Sequence, residues 1–287
     1  MSRAALIDTT KCIGCRACQV ACKQENNLPA EKTSFFAQEG GYQNPAALSS
    51  NTFSLVTFFE ITKGEDLKWV FAKRQCMHCQ DPSCASACIV GALQRTKDGS
   101  VIYDKDKCIG CRYCMVACPF GVPAFEWDKL VPFIKKCTFC NDRTANNTAP
   151  RLNDKPLDKA ASQRHVTGQT QPACSKVCPT GAIKFGKRDD LLNEAHTRID
   201  ENPGKYVHHV YGEKEAGGTG WLYISNVNFN ELGFPTNIGN HSYPAYTKTA
   251  MQAVPGIVAG VGALLGGVFW FTRRKNTVAE TTSGKEG

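Results

Sequence analysis

The chain has 287 residues, 16 cysteines and a formal net charge of +8. Its length suggests one or two domains plus appendages, and a cysteine content so far above average indicates that the cysteines determine the architecture. Their C-x2-C-type spacing is typical of metal binding and unfavourable for disulfide pairing, which argues against a disulfide-stapled scaffold.

The first cysteine run follows a predicted strand over residues 3–11 and reads CIGCRACQVAC. Thiolates two residues apart on a tight turn can bind one metal centre from adjacent directions. A helix predicted to begin at Val20–Lys23 carries the fourth thiolate away from the other three. This spacing is typical of ferredoxins with two 4Fe–4S clusters, in which the last cysteine of a run binds the other cluster. The candidate ligands are Cys12, Cys15, Cys18 and Cys22.

The second cysteine run follows a predicted β-hairpin. Residues 52–61 and 67–73 are rich in β-branched and aromatic side chains, and the turn sequence KGED separates them. The run itself is two residues wider between its second and third cysteines, where Asp81 and Pro82 lie. Its candidate ligands are Cys76, Cys79, Cys84 and Cys88.

The third cysteine run repeats the first. A strand pair is predicted over residues 91–93 and 101–103, across an Asp-Gly turn at Asp98. The sequence DKDKCIGCRYCMVAC then matches the earlier DTTKCIGCRACQVAC, which indicates an internal duplication. The second and third runs together make one complete two-cluster ferredoxin unit. The third run supplies Cys108, Cys111, Cys114 and Cys118.

The fourth set is split by a long polar loop and comprises Cys137, Cys140, Cys174 and Cys178. Neither this set nor the first has a partner run nearby, so the simplest solution is that they complete each other. The predicted fold is α+β, with two ferredoxin-like 2×(4Fe–4S) units, one inserted in the other. Residues 1–50 and 130–190 form the discontinuous unit, and residues 51–129 form the inserted unit. The alternative is that each run closes its own four-cysteine centre.

The crossed pairing predicts four 4Fe–4S clusters. They are bound by Cys12, Cys15, Cys18 and Cys178; by Cys22, Cys137, Cys140 and Cys174; by Cys76, Cys79, Cys84 and Cys118; and by Cys88, Cys108, Cys111 and Cys114. Each cluster with its thiolates would carry about two negative charges, so four would offset the charge of +8 and remove the argument for nucleic-acid binding. Structural zinc in four-cysteine sites is the alternative metal.

Beyond the last cysteine, a helix is predicted over residues 189–198 and strands over 206–211 and 221–225, within a strand-rich extension that spans 191–247. His208 and His209 lie in this strand pair and are read as ordinary histidines rather than ligands. His78, between two cysteines, either donates a hydrogen bond to a cluster or simply packs. No nucleophile, acid–base pair or substrate pocket is recognisable, so no catalytic residue is predicted.

A transmembrane helix is predicted over residues 248–273, followed by a polar tail over 274–287. Between Ala250 and Phe271 the only polar side chain is Gln252, and about 20 apolar residues span a bilayer; the alternative is a buried core helix. Arg273, Arg274 and Lys275 follow the helix, which predicts a cytoplasmic C-terminus and a periplasmic main domain in a bacterial inner membrane. The N-terminus has no cleavable signal peptide, so export would require a signal-bearing partner.

The chain resembles the four-cluster electron-transfer subunits of membrane-bound molybdenum or tungsten oxidoreductases, and most closely the β subunit of respiratory formate dehydrogenase. The segments that carry the resemblance are the cysteine runs with QNPAALSSNTFSLVTF, CPFGVP, KKCTFCNDR, PACSKVCPTGAIKFG and GGTGWLYISN. Ile89 departs from the family, which commonly has proline there.

The resemblance implies a non-catalytic subunit that relays electrons. Its partners would be a catalytic subunit with pterin-bound molybdenum or tungsten and a membrane cytochrome b subunit that reduces a quinone. The alternatives are the same role in a hydrogenase or another molybdoenzyme, or a zinc-stabilised membrane scaffold.

Overall fold

The computed structural model describes residues 2–33, 42–64, 66–144 and 171–283, without the side chains beyond residue 273. Most of the predicted polar loop after Cys140, residues 34–41 and the last residues of the predicted tail lie outside these ranges. The chain divides into two compact units, Met1–Tyr243 and Pro244–Gly287. The first unit contains every cysteine.

A three-stranded sheet connects the two ends of the cysteine-bearing region. Strand β1 (Arg3–Asp8) pairs antiparallel with β8 (Ile183–Lys187) and parallel with β9 (Trp221–Ile224). Because β1 leads into the first cysteine run and β8 follows Cys178, this pairing brings the first run beside the end of the fourth set.

Both faces of this sheet are covered, because successive side chains of a strand point to opposite faces. One face packs against the long β-hairpin through Ile7, Trp221 and Tyr223. The other face packs Leu6 and neighbouring side chains against helix α6 (Arg188–Glu201), which presents Leu191, Ala195 and Ile199 at intervals of four residues. The core of the first unit therefore surrounds this sheet.

The predicted hairpins are confirmed. Strands β2 (Ser54–Lys63) and β3 (Asp66–Gln75) pair antiparallel, with Ser54 opposite Gln75. The second hairpin joins β4 (Leu93–Arg95) and β5 (Val101–Tyr103). A third, shorter pair joins β6 (Ala124–Phe125) and β7 (Ile134–Lys135). Strand β3 ends directly before the second cysteine run, and β7 ends directly before Lys136 and the fourth set.

The internal duplication is visible in the backbone. Helices α1 (Ala17–Glu25) and α3 (Tyr113–Ala117) each follow an arginine in the left-handed region, Arg16 with φ 60° and Arg112 with φ 63°. The glycines two residues before them also have positive φ angles, 67° and 71°. Among the described residues, three one-turn helices also belong to this part of the fold: α2 (Ser83–Ser86), α4 (Asn141–Thr144) and α5 (Ala173–Lys176).

The predicted strand over residues 206–211 is wrong. Tyr211 forms a single isolated bridge with Tyr223. The His209 amide donates instead to the Val207 carbonyl at 2.7 Å, and this tight turn interrupts any ladder. Strand β9 pairs with β1, so residues 191–247 contain one strand and the description of this extension as strand-rich is also wrong.

Helix α7 (Tyr243–Ser283) is the second unit and includes the predicted span 248–273. Within its first 31 residues, Tyr243–Arg273, an 18-residue apolar window has a mean hydropathy of 1.9, and none of that window is buried. Pro255 lies inside the helix. By length and composition this helix is a candidate membrane span.

Substitution of Gly212 tests how closely its loop packs against β9. Gly212 has a φ of +95°, and an added Cβ would lie against the Trp221 carbonyl and 2.5 Å from Thr219 Oγ1. We expect Gly212→Ala to lower the free energy of unfolding by about 3 kcal/mol or more, through strain and overpacking together. Denaturant unfolding followed by circular dichroism measures this loss.

Gly204→Ala is the matched control for this test. Gly204 has a φ of +82°, but no atom lies within 4 Å of the position of its Cβ. Only the backbone strain remains, so the expected cost is about 1 kcal/mol. Equal losses in the two variants would contradict the packing described around Gly212.

A pH-dependent ion pair joins His209 to Glu215 at 2.7 Å. The hydrogen bond to Glu215 raises the pKa of His209 above 6.5. Burial raises the pKa of Glu215, but hydrogen bonds from His209 and the Gly212 amide outweigh it and hold that pKa below 4.5. The histidine's contribution to stability is lost as the pH rises through its raised pKa, and the glutamate's as the pH falls through its lowered pKa.

The contribution of this pair to stability is therefore complete between pH 4.5 and 6.5. We expect His209→Gln to destabilise the protein more at about pH 6 than at about pH 9. The unfolding midpoints of parent and variant at both pH values measure the difference. A destabilisation that is independent of pH would count against the ion pair.

Candidate metal centres

Four cysteines from distant parts of the chain line one pocket. Three come from the loop before α1 and the first turn of that helix, and the fourth follows α5; they are Cys12, Cys15, Cys18 and Cys178. Ile7, Val56 and Ile183 supply apolar walls, and Lys73 also lines the pocket. The pairing of β1 with β8 explains why residues so far apart in sequence meet here.

A second pocket is lined by Cys88, Cys108, Cys111 and Cys114. Leu93, Tyr103 and Ile134 form part of its wall, which places it beside the β4–β5 hairpin. The Ala92 amide donates to Cys88 Sγ at 3.1 Å. The two pockets thus contain the first and the fourth of the predicted ligand sets.

The other eight cysteines form two further groups. Burial raises the pKa of Cys22, and the neighbouring thiolates of Cys137, Cys140 and Cys174 raise it further. Burial also raises the pKa of Cys79, followed by the thiolates of Cys76, Cys118 and Cys84. Cys22 therefore faces the split set rather than its own run, and Cys118 faces the second run rather than its own.

Neighbouring sets also face each other, in a consistent order. The thiolate of Cys174 raises the pKa of Cys18, which connects the first set with the second. The thiolate of Cys76 raises the pKa of Cys137, which connects the second set with the third. Cys114 has the same effect on Cys84, which connects the third set with the fourth. The four sets follow one another in series.

The donor chemistry fits iron–sulfur clusters. All 16 cysteines are free thiols. Burial is the main cause that raises the pKa of Cys18, Cys84 and Cys137 to about 12 and that of Cys114 to about 11. Such thiols stay protonated near neutral pH unless a metal centre holds them as thiolates, and soft thiolates select iron–sulfur clusters, zinc or Cu(I).

The thiols of each set lie around a space rather than meeting at a point. Among the residues that the structure describes, no three His, Cys, Asp or Glu side chains converge closely enough to hold a single metal ion. The two pockets described above, one lined by Cys12 and the other by Cys108, are spaces of this kind.

The histidines considered in the sequence have different environments. His78 is fully buried, stacks on Phe139 at 4.7 Å, and accepts a hydrogen bond from the Val101 amide at Nδ1. Burial, followed by the charges of Lys136 and Lys73, lowers its pKa well below 6.5, so the ring is neutral and carries its proton at Nε2. His209 pairs with Glu215, as described above.

Two buried lysines were not identified from the sequence. Lys73 and Lys136 are 3% and 4% exposed. The Lys136 ammonium donates to the Val101 carbonyl and, at 3.2 Å, to the Cys137 carbonyl. The signal that could have found them is their position, each at the end of a strand next to a cysteine run, because a cation there can offset thiolate charge.

Comparisons with known proteins agree with this donor set. A family described as "4Fe-4S dicluster domain" matches residues 11–92, and another family with the same description matches residues 67–155. These matches indicate 4Fe–4S clusters in the chain.

Relatives cover most of the chain. A protein of Nitratidesulfovibrio vulgaris strain Hildenborough is 43% identical over 275 residues, which are 96% of this chain and 68% of that protein. The nitrate-inducible formate dehydrogenase iron-sulfur subunit of Escherichia coli K12 is 37% identical over 224 residues, 77% of this chain and 67% of the subunit. The hydrogenase-2 operon protein HybA of E. coli O157:H7 is 35% identical over 257 residues, 80% of this chain and 72% of HybA.

These relatives are similar in sequence over most of both chains, and the matched domains are 4Fe–4S domains. The chain therefore belongs to the family of iron–sulfur electron-transfer subunits of formate dehydrogenases and hydrogenases.

Proposed function

We propose that the chain holds four 4Fe–4S clusters in series and relays electrons from a catalytic subunit to a membrane partner. The observation that carries this proposal is that thiols of successive proposed sets are neighbours, Cys18 of Cys174, Cys137 of Cys76 and Cys84 of Cys114. A 4Fe–4S cluster, when bound, supplies a one-electron redox site whose potential depends on burial, hydrogen bonds and nearby charge.

The proposed ligand sets cross between cysteine runs. The first set is Cys12, Cys15, Cys18 and Cys178, and the second is Cys22, Cys137, Cys140 and Cys174. The third is Cys76, Cys79, Cys84 and Cys118, and the fourth is Cys88, Cys108, Cys111 and Cys114. The lining of two pockets and the thiolate neighbours of Cys22 and Cys79 support these sets. The nested arrangement of the two ferredoxin-like units, with residues 51–129 inserted, follows from the same crossing.

The role of the protein around each set is to bury thiolate charge and keep it in place. Backbone amides support this role, since Ala92 donates to Cys88 Sγ at 3.1 Å and Phe139 to Cys137 Sγ at 3.4 Å. Hydrogen bonds of this kind favour the thiolate form. No substrate pocket or acid–base pair is part of the proposal, so the chemistry of the substrate belongs to a partner chain.

The proposed catalytic partner is a formate dehydrogenase subunit with pterin-bound molybdenum or tungsten. The likeness to the iron-sulfur subunit of E. coli formate dehydrogenase supports it. The likeness to HybA, at similar identity, supports a hydrogenase as the second candidate. Anaerobic purification with copurifying chains, followed by dye reduction with formate or with hydrogen, distinguishes the two, because only the true donor reduces the dye.

The proposed acceptor is a membrane cytochrome b subunit that reduces a quinone. The apolar helix Tyr243–Arg273 supports attachment to the membrane. We further propose that residues 1–247 lie in the periplasm and the tail in the cytoplasm, since Arg273, Arg274 and Lys275 follow the apolar part of the helix whereas Lys248 alone precedes it.

The crossed ligand sets predict a specific pattern of iron loss. Four clusters give about 16 iron atoms per chain, and a Cys22→Ala variant should lose about a quarter of them. Adding Cys140→Ala, in the same proposed set, should remove no further iron. Adding Cys15→Ala, in the other set, should remove about a second quarter. Iron per chain, measured by elemental analysis on anaerobically purified protein, records each step.

The reverse pattern would overturn the crossed sets. If each run closed its own centre, Cys22→Ala with Cys15→Ala would cost one cluster, and Cys22→Ala with Cys140→Ala would cost two. A preparation that contains zinc in place of iron would reject the relay itself and favour the scaffold alternative.

The proposed orientation predicts the result of a protease-accessibility experiment. Protease added to intact spheroplasts should degrade the cysteine-bearing domain and spare an epitope placed after Lys275. Permeabilised spheroplasts, in which both sides are exposed, are the control for epitope sensitivity. A domain that stays protected until permeabilisation would reverse the orientation.

A further inference from the structure

Lys73 is a buried cation between two of the thiol sets. It lies near the end of β3, is 3% exposed, and lines the pocket of the first set. An ammonium group in such a position has lost its hydration and needs compensating negative charge. The groups around Lys73 therefore indicate which negative charges it stabilises.

The ammonium group of Lys73 contacts two residues, and a third binds its backbone. It donates to Gln75 Oε1 at 2.8 Å and lies 4.4 Å from the centre of the Trp221 ring. Gln75 Nε2 donates to the Tyr223 hydroxyl at 2.6 Å, and that hydroxyl donates to the Lys73 carbonyl at 2.9 Å. This closed network holds the cation in one place.

The groups that face Lys73 are cysteine thiols, which become thiolates when a metal centre binds them. Lys73 lines one pocket with Cys12, Cys15, Cys18 and Cys178. The thiols that act most strongly on its ammonium group are those of Cys174, Cys18 and Cys137. In return, Lys73 lowers the pKa of Cys18 in the first set and of Cys22 and Cys137 in the second, against the larger effect of burial. One cation thus acts on both sets.

We propose that the Lys73 ammonium makes the reduction potentials of the first and second centres less negative than they would be without it. The inference rests on the proposed function, because it requires a cluster in each of these two sets. Reduction adds one negative charge to a cluster, and a fixed positive charge nearby in a poorly solvated interior stabilises the reduced form. Lys73 is then a tuning residue rather than a ligand.

Lys73→Met and Lys73→Gln test the proposal, because both remove the charge and keep most of the side-chain volume. Anaerobic redox titration of the complex with its copurifying chains, monitored by electron paramagnetic resonance, gives the midpoint potentials. We expect two of the cluster signals to become harder to reduce by about tenfold in equilibrium constant, which is about 59 mV more negative for one electron. The other signals should not move.

Lys68→Met is the matched control. Lys68 lies on the same strand but is exposed, so loss of its charge should leave all potentials unchanged. Lys73→Arg keeps the charge and should retain potentials close to those of the parent protein. A shift in Lys73→Met together with none in Lys68→Met and Lys73→Arg supports the proposal.

Iron content separates failure of this inference from failure of the proposed function. If the parent protein holds no iron, the proposed function fails. If the neutral variants hold as much iron as the parent and their potentials do not move, the proposal for Lys73 is overturned. If both neutral variants lose iron while Lys73→Arg keeps it, Lys73 is required for assembly rather than for tuning, and the proposal is likewise rejected.

Discussion

Burial of thiols is the constraint on which the rest of the structure depends. Removal from water raises the pKa of Cys18, Cys84 and Cys137 to about 12, so each set gains its anionic form only with a metal centre. A chain built around such sets must therefore supply positive charge inside as well as outside. Lys73 and Lys136 do so from the interior, and the formal charge of +8 does so for the whole chain.

The three-stranded sheet solves the geometrical problem that a split set creates. Strand β1 joins the chain before the first cysteine run to β8, which comes after the last cysteine, and to β9 beyond it. The sheet also presents Trp221 and Tyr223 toward the hairpin that carries Lys73. The same packing thus aligns distant cysteines and positions the cation between them, so the fold of the outer strands and the environment of the sets depend on each other.

Local sequence patterns predicted much of this fold. The parts that they did not predict depend on contacts between segments far apart in the sequence. The hairpins at β2–β3 and β4–β5 and helix α6 were predicted from periodicity and turn residues, and they are confirmed. The ligand sets, predicted from spacing, remain a proposal supported by the thiol neighbours. The strand predicted over residues 206–211 was wrong, because a tight turn from Val207 to His209 reduces its pairing with β9 to one isolated bridge at Tyr211. Lys73 could not be recognised, since Trp221, Tyr223 and the thiols that surround it come from distant segments.

The order of the strands has a consequence for biosynthesis. The cysteines at positions 76–118 and the hairpins beside them leave the ribosome together, and the β4–β5 and β2–β3 pairs can form at once because their partners are adjacent. Strand β1 leaves the ribosome before these hairpins, yet its two partners end only at residues 187 and 224. Until translation reaches that point, an apolar strand has both edges unpaired, and unpaired edges invite aggregation. Strand β1 is thus covered long after it is made, and a nascent chain most needs a chaperone at this strand.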